Sequence, residues 1–275
     1  MVKLNTYKIL GRTLVFGIIV IFTVVITADN RFENAIEVYY KQKNYKLSAS
    51  LFKESIKDNE SQKTESYYYL GYMYAKGLGV EENIDKAIYL TKKAAKQNHI
   101  KAEVNLAFLY LKRGFKDDWQ KAIKWLKIAS KDGNIRAQRS LGILYYNGKV
   151  IPKNYYQSFF WFKKSAKQKD KSSMLYLAYL YIDGKGITKD YTKAKYWFDR
   201  SISLNESKNA LGVIYYKGLG VKKDYKEALK YFEESAKNKN PDSLKYISIM
   251  YYYGYGVKKD RIKAYKYWSK YNVNR

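Results

Sequence analysis

Three arrangements in this chain carry residue types that could do chemistry. Ser50-Leu51-Phe52-Lys53 spaces a hydroxyl and an amine as in the S-x-x-K of penicillin-recognising serine enzymes, where the Ser attacks an acyl group, but no K-T-G accompanies it. Asp117 with Asp118, and Glu233 with Glu234, are adjacent carboxylates of the kind acid–base hydrolysis uses. Their sequence context puts them at a helix N-cap or on a solvated helix face, with no cleft implied around them. His99 is the single histidine and cysteine is absent. That excludes disulfides, thiolate ligands and a cysteine nucleophile, and leaves a His-based zinc site or triad short of members. His99 itself reads as a surface residue of a turn. No catalytic residue, metal site or cofactor is expected.

What the chain carries in quantity is aromatic and cationic. There are 32 Tyr, and 53 Lys and Arg stand against 25 Asp and Glu, giving +28, beside an apolar fraction of 47% that is ample for a folded core. An excess of this size suits an anionic or acidic partner. AT-rich coding, which raises Lys, Asn, Tyr and Ile together, is the competing account. At the N-terminus Lys3, Lys8 and Arg12 precede the uncharged run TLVFGIIVIFTVVITA at 13–28. Its fifteen or so apolar residues span about 22 Å as a helix, short of a hydrocarbon core of roughly 30 Å. That length fits a secretory signal, with Ala28 before the cleavage point; Ile26 is not the small residue such a site prefers, so an uncleaved anchor stays open. Either way the cations hold that end in the cytoplasm, and residues 29–275, still carrying +25, are expected across the inner membrane, periplasmic or anchored.

The body is periodic. A Leu or Ile, a small residue and a Tyr four positions on recur at Leu70, Leu106, Leu141, Leu177, Leu211 and Ile247, at spacings of 36, 35, 36, 34 and 36. Units this short cannot bury an apolar face alone and must stack. Leu and Tyr at i and i+4 share one face of a helix A, and the small residue between them admits a second helix. Gly77, Gly148, Gly184, Gly218 and Gly254 stand where that helix ends. Asn83, Asp118, Asn154, Asp190, Asp224 and Asp260 stand four residues before the next small position, where each is expected to cap a helix B. The inner face of helix B is read as that small residue (Ala87, Ala122, Ser158, Ala194, Ala228, Ala264) with a bulky one three further on: Leu90, Trp125, Trp161, Trp197, Tyr231 and Tyr267. Tyr271, where other units have a second small residue, suggests an end cap.

LGYMYAKGLGVEENIDKAIYLTKKAA at 70–95 and LGVIYYKGLGVKKDYKEALKYFEESA at 211–236 resemble Sel1-like repeats, relatives of the tetratricopeptide repeat. The resemblance implies an all-α fold: a right-handed α/α superhelical solenoid of six Sel1-like repeats over 62–275. Residues 29–61 resemble a tetratricopeptide-type hairpin serving as N-terminal cap, and 1–28 is the signal or anchor. The second unit lacks Gly-x-Gly and is one residue short, and the third reads GKVIPKN, so both loops are expected to be irregular. The tetratricopeptide geometry also implies a concave groove lined by A helices. It places there Tyr68, Tyr72 and Lys76; Phe108, Leu111 and Lys112; Tyr146 and Tyr179; and Tyr216, Lys217, Tyr252 and Tyr253. Groove-facing and packing against the next repeat are both open for these rings. Lys149, Lys153, Lys185, Lys189, Lys222, Lys223, Lys258 and Lys259 fall in the intervening loops, along one edge, as a basic ridge or simply a solvated one.

The expected function is a non-enzymatic scaffold or adaptor of the bacterial envelope holding a protein or peptide. That partner could be acidic, an anionic envelope component could sit on the basic edge, and nucleic acid is not expected outside the cytoplasm. The alternative is a periplasmic immunity protein against a phospholipase-type effector; β-lactam or peptidoglycan hydrolysis stands third.

Overall fold

The computed structural model describes residues 14–15, 18–19, 30–57 and 62–274. The signal or anchor expected at 1–28 lies outside the described residues, apart from a minimal antiparallel pair, β1 (Leu14–Val15) and β2 (Ile18–Ile19). No described helix is long and apolar enough to cross a membrane. Every other described residue lies in helix or loop, and the chain divides into two compact units, 1–132 and 133–275.

The first unit holds three hairpins. α1 (Arg31–Glu37) runs into a π-helical turn at Val38–Gln42 and folds against α2 (Tyr45–Lys57); α3 (Lys63–Lys76) pairs with α4 (Ile84–Ala95), and α5 (Ile100–Arg113) with α6 (Lys116–Lys131). The second unit holds four: α7 (Ile135–Asn147) with α8 (Tyr155–Lys167), α9 (Lys171–Asp183) with α10 (Tyr191–Arg200), α11 (Asn205–Lys217) with α12 (Tyr225–Ala236), and α13 (Pro241–Tyr253) with α14 (Arg261–Val273). Within each unit every hairpin leans on the next.

Helix ends follow the sequence closely. Gly77, Gly148, Gly184, Gly218 and Gly254 close their A helices in the left-handed conformation. Asn83, Asn154, Asp190, Asp224 and Asp260 each accept a hydrogen bond from a backbone N–H two or three residues ahead, satisfying a donor the first turn leaves free. Asp118 does not. α6 starts at Lys116 with no side-chain cap, and the Asp118 carboxylate, 1% exposed, accepts two 2.7 Å bonds from Arg113 Nε and Nη2. The shortened loop draws the helix start forward and turns the capping residue into an ion-pair partner. The third loop departs less: Asn154 N–H donates to Tyr145 O at 2.9 Å, as Asn83 does to Tyr74 and Asp224 to Tyr215, but Lys149 does not make the bond that Leu78, Lys185, Leu219 and Tyr255 N–H donate to the carbonyl five residues back. A second capping column went unread in the sequence, seven residues before the anchor: His99, Asn134, Asp170 and Asn240. His99 is therefore no surface turn residue. Its Nδ1 accepts from Ala102 N–H at 2.9 Å, which puts the ring proton on Nε2, 2.7 Å from Glu65 Oε2.

The six anchors are buried, and so are the small residues opposite them. Serines in the small positions are satisfied across the hairpin: Ser158 Oγ donates to Gly142 O and Ser248 Oγ to Ala264 O, both at 2.9 Å. In four of the six repeats the bulky core residue of helix B stands four after the small one, not three; the first has Thr91 there, and in the last Tyr267 is half-buried and Trp268 exposed. Leu126, Phe162, Phe198 and Phe232 have no exposed surface, whereas Trp125, Trp161, Trp197 and Tyr231 are only half-buried flanks. Phe162 stacks on Tyr176 and Phe232 on Tyr246, each at 4.7 Å and 3°, joining one hairpin to the next. Phe52 of the N-terminal hairpin reaches Tyr69 in the same way at 5.4 Å and 3°.

Glycine permits the closer stack. A Cβ on Gly142 or Gly212 would lie 2.6 Å from Phe162 or Phe232 ring atoms, so the ring rests directly on the backbone of helix A. Gly212→Ala is expected to cost about 1–3 kcal/mol of overpacking, against about 0.5–1 gained in helix propensity. A lowered denaturation midpoint, largely relieved by adding Phe232→Leu, checks this.

Two contacts hold neighbouring hairpins in register. In the Gly-x-Gly loops the second glycine presses on the start of the preceding helix B: a Cβ on Gly186 would sit 2.4 Å from the Tyr155 carbonyl carbon, and Gly79, Gly220 and Gly256 meet Tyr45, Tyr191 and Tyr225 likewise. The α5–α6 loop lacks this glycine. Arg113 Nη1 there donates to Asp85 Oδ1 at 2.6 Å, so a guanidinium spans Asp118 and the first turn of α4.

Candidate partner-binding face

The A helices carry the candidate residues, and within the second unit α7 meets α9 and α11 meets α13, so their faces adjoin. In the first unit the face is built from α1, α3 and α5. Tyr68 lies 4.7 Å from the His99 ring and 5.3 Å from Tyr69; Tyr72 is more exposed, at 37%. Tyr39 and Tyr40 of the N-terminal hairpin join this cluster through Tyr69, with Tyr40 Oη 3.5 Å from Tyr69 Oη. Burial, with the Tyr72 hydroxyl next in effect, pushes the Tyr39 phenol up to about 12. Lys76 is exposed, and Phe108 and Leu111 are half-buried. Lys112 Nζ is engaged by Glu82 Oε1 at 2.6 Å, and that bond holds the exposed Glu82 carboxyl below its ordinary value.

In the second unit the candidate tyrosines divide. Tyr146 contacts Tyr155 and Tyr176, and Tyr216 contacts Tyr225, Tyr246 and Tyr255, all with rings 5.2–6.1 Å apart. Both are half-buried members of the packing between hairpins, and burial raises both phenols. Tyr179 packs edge-on to Phe198 at 5.3 Å; desolvation first, then the Glu206 carboxylate, pushes its phenol up to about 12. Asp242 acts on it in the same sense. Glu206 and Asp242 stand five residues before their anchors, a face position the sequence reading passed over although it lies two turns below Val213 and Ile249. Tyr252 and Tyr253 are open, at 45% and 60%, and Lys217 is exposed.

Lys185, Lys189, Lys222, Lys223, Lys258 and Lys259 are all exposed, in loops one hairpin apart. Lys185 Nζ is 2.6 Å from Asp183 Oδ2, and Lys189 and Lys223 lie over Tyr191 and Tyr225 at 5.8 Å. Ser50 and Lys53 are exposed one turn apart on α2, with Lys53 over the Tyr74 ring at 5.9 Å. Among the described residues no group of three or more His, Asp and Glu side chains could hold a metal ion.

A family described as Sel1 repeat matches residues 64–99, 100–134, 135–170, 171–206, 205–240 and 241–270. No curated protein matches the chain. The solved Sel1 repeat protein from Oxalobacter formigenes is 25% identical, with TM-score 0.70 over 89% of this chain and 100% of that one. The antigen c5321 of uropathogenic Escherichia coli, described as displaying an SLR fold, is also 25% identical, with TM-score 0.56 over 90% of this chain and 62% of its own length. With six matched units, the stacked helix pairs and the glycine-closed A helices in agreement, the chain belongs to the Sel1 repeat family.

Proposed function

We propose that this chain is a non-enzymatic adaptor of the bacterial envelope, holding a protein or peptide against the A-helix faces of its repeats. The observation that most supports this is the exposure of Tyr72, Tyr252 and Tyr253 on A helices of a Sel1 repeat scaffold, a fold suited to protein–protein interaction. Tyrosine brings large contact area and a hydrogen-bonding tip at small entropic cost. Export is supported by Lys3, Lys8 and Arg12 before the apolar run. An acidic partner or anionic envelope component would also meet the loop lysines.

Tyr72→Ala and the pair Tyr252→Ala/Tyr253→Ala remove rings without opening the core, unlike changes at Tyr179 or Tyr216. Each is expected to weaken the principal partner recovered from envelope fractions by about tenfold or more, with helical circular dichroism unchanged. Equal recovery by both variants and the native chain would remove the A-helix face from consideration. The identity of the partner decides the role: a secreted lipolytic enzyme inhibited on binding would replace the adaptor reading with immunity.

A further inference from the structure

Glu103 is the one acid at its place in the repeat. It stands three before the anchor Leu106, where the other units carry Tyr67, Gln138, Met174, Lys208 and Leu244. Glu103 is 1% exposed, and its Oε2 is buried with no hydrogen-bond partner among the described residues. A carboxylate so placed is costly, and its usual escape is to become neutral. The lysines of the adjoining segments, Lys96 after α4, Lys101 on α5 and Lys131 on α6, are all exposed and none bonds to it.

The neighbouring groups leave it no donor. His99 caps the same helix, but Nδ1 already accepts from Ala102 N–H and the Nε2 proton goes to Glu65 Oε2 on α3, so the ring has none to offer Glu103. Across the hairpin, ten residues after the small position of helix B, stands Asp132. The next repeat fills these two places with amides, and Gln168 Nε2 donates to Gln138 Oε1 at 2.9 Å. With a carboxyl at both places, one must bring a proton if a bond is to form. The start of α5 favours negative charge, but that attraction is small beside the desolvation of an unpartnered carboxylate. Burial first, then Asp132, raises the Glu103 carboxyl above its ordinary value, with His99 opposing. We propose that Glu103 is a proton-binding site of the α5–α6 hairpin, taking a proton from solvent and donating its O–H to Asp132, so that acidification stabilises the first unit.

A carboxyl raised in the folded state contributes its full stability below the unfolded value of about 4.3, and that stability is lost as pH rises through the higher folded value. Urea denaturation of the full chain and of Glu103→Gln, at a series of pH values from neutral down to about 4, reads this directly. Gln has nearly the same shape, carries no charge and brings its own N–H, as Gln138 does one repeat on. The variant is expected to unfold at higher urea than the native chain at neutral pH, and the difference to shrink as acid protonates Glu103. Asp118 and the other titrating groups are present in both chains and cancel in the difference. Asp132→Asn, which removes the repulsion and keeps Glu103, should also move the neutral midpoint to higher urea and displace the pH dependence to lower pH. Independently of either variant, carbon-13 carboxyl resonances of the native chain labelled on glutamate should include one that titrates above the rest. A Glu103→Gln chain that is less stable at neutral pH or fails to fold, a difference constant across the series, or a glutamate set in which none titrates above the ordinary range overturns the proposal.

Discussion

Arg113→Ala is expected to destabilise the first unit by about 3–5 kcal/mol, the cost of leaving a buried carboxylate without its counter-ion. Asp118 is 1% exposed and takes both oxygens to one guanidinium; Lys121 Nζ, at 3.4 Å on a half-exposed side chain, is a poor substitute. The loss also frees Asp85, so the α5–α6 loop detaches from the start of α4. Dependence on pH separates this account from generic damage. In the native chain the Arg113 hydrogen bonds hold the Asp118 carboxyl below its ordinary value. Its contribution is thus complete above the unfolded value of about 3.9 and lost as pH falls through the lower folded value. In the variant, burial without the guanidinium raises the folded value above the unfolded one, so acidification protonates the folded state preferentially and narrows the gap to the native chain. Urea denaturation at a series of pH values shows whether the gap narrows, and Asp118→Asn added to the variant should recover part of the loss. A gap that stays constant from neutral to acid pH would mean Asp118 is not the group responsible.

Phe232→Ala is expected to cost the second unit about 3–5 kcal/mol, at the upper range for a core aromatic. Phe232 has no exposed surface, rests on Gly212 and stacks on Tyr246. Glycine has no side chain with which to fill the void, and Tyr246 is anchored against Tyr216, so little collapse can offset the loss. Tyr231→Ala, one position away and half-buried, should cost about half as much. Denaturation midpoints of the two variants decide it, and equal losses would refute the assignment of the core to the position four after the small residue.

That position shows where sequence reading stopped. Three and four residues after the small position straddle the same helix face, 300° and 400° around. Tryptophan at 125, 161 and 197 drew the assignment to the first, whereas burial is settled by where the neighbouring helix lies. The caps were legible because Asn or Asp four before a small residue acts within one turn, through atoms the local backbone itself supplies. Asp118 fits that spacing and still departs from it, because its partner Arg113 enters from the end of the preceding helix once the loop is a residue short. Likewise the helical spacing puts Tyr179 and Tyr216 on an A-helix face, but the rings that enclose Tyr216 come from residues 225, 246 and 255. His99 is not of the Asn or Asp type that marks a cap in a sequence, and its role shows only where Nδ1 meets Ala102 N–H.

The glycine contact at 79, 186, 220 and 256 bears on how such an array can change its length. Backbone meets backbone at Gly79 and Gly186, and at Gly220 and Gly256 the Tyr191 and Tyr225 Cβ atoms bear on the glycine as well, so the joint asks chiefly for one absent Cβ. A segment copied in frame at a spacing of about 36 residues brings its own half of the joint and finds the other half already present, whichever hairpin precedes it. The Arg113 joint is different in kind. It needs Asp85 on the hairpin before and, on the same hairpin as Arg113, Asp118. A copied hairpin of the second unit therefore meets a joint already made, whereas a copy that parts Asp85 from Arg113 leaves the guanidinium short of one partner.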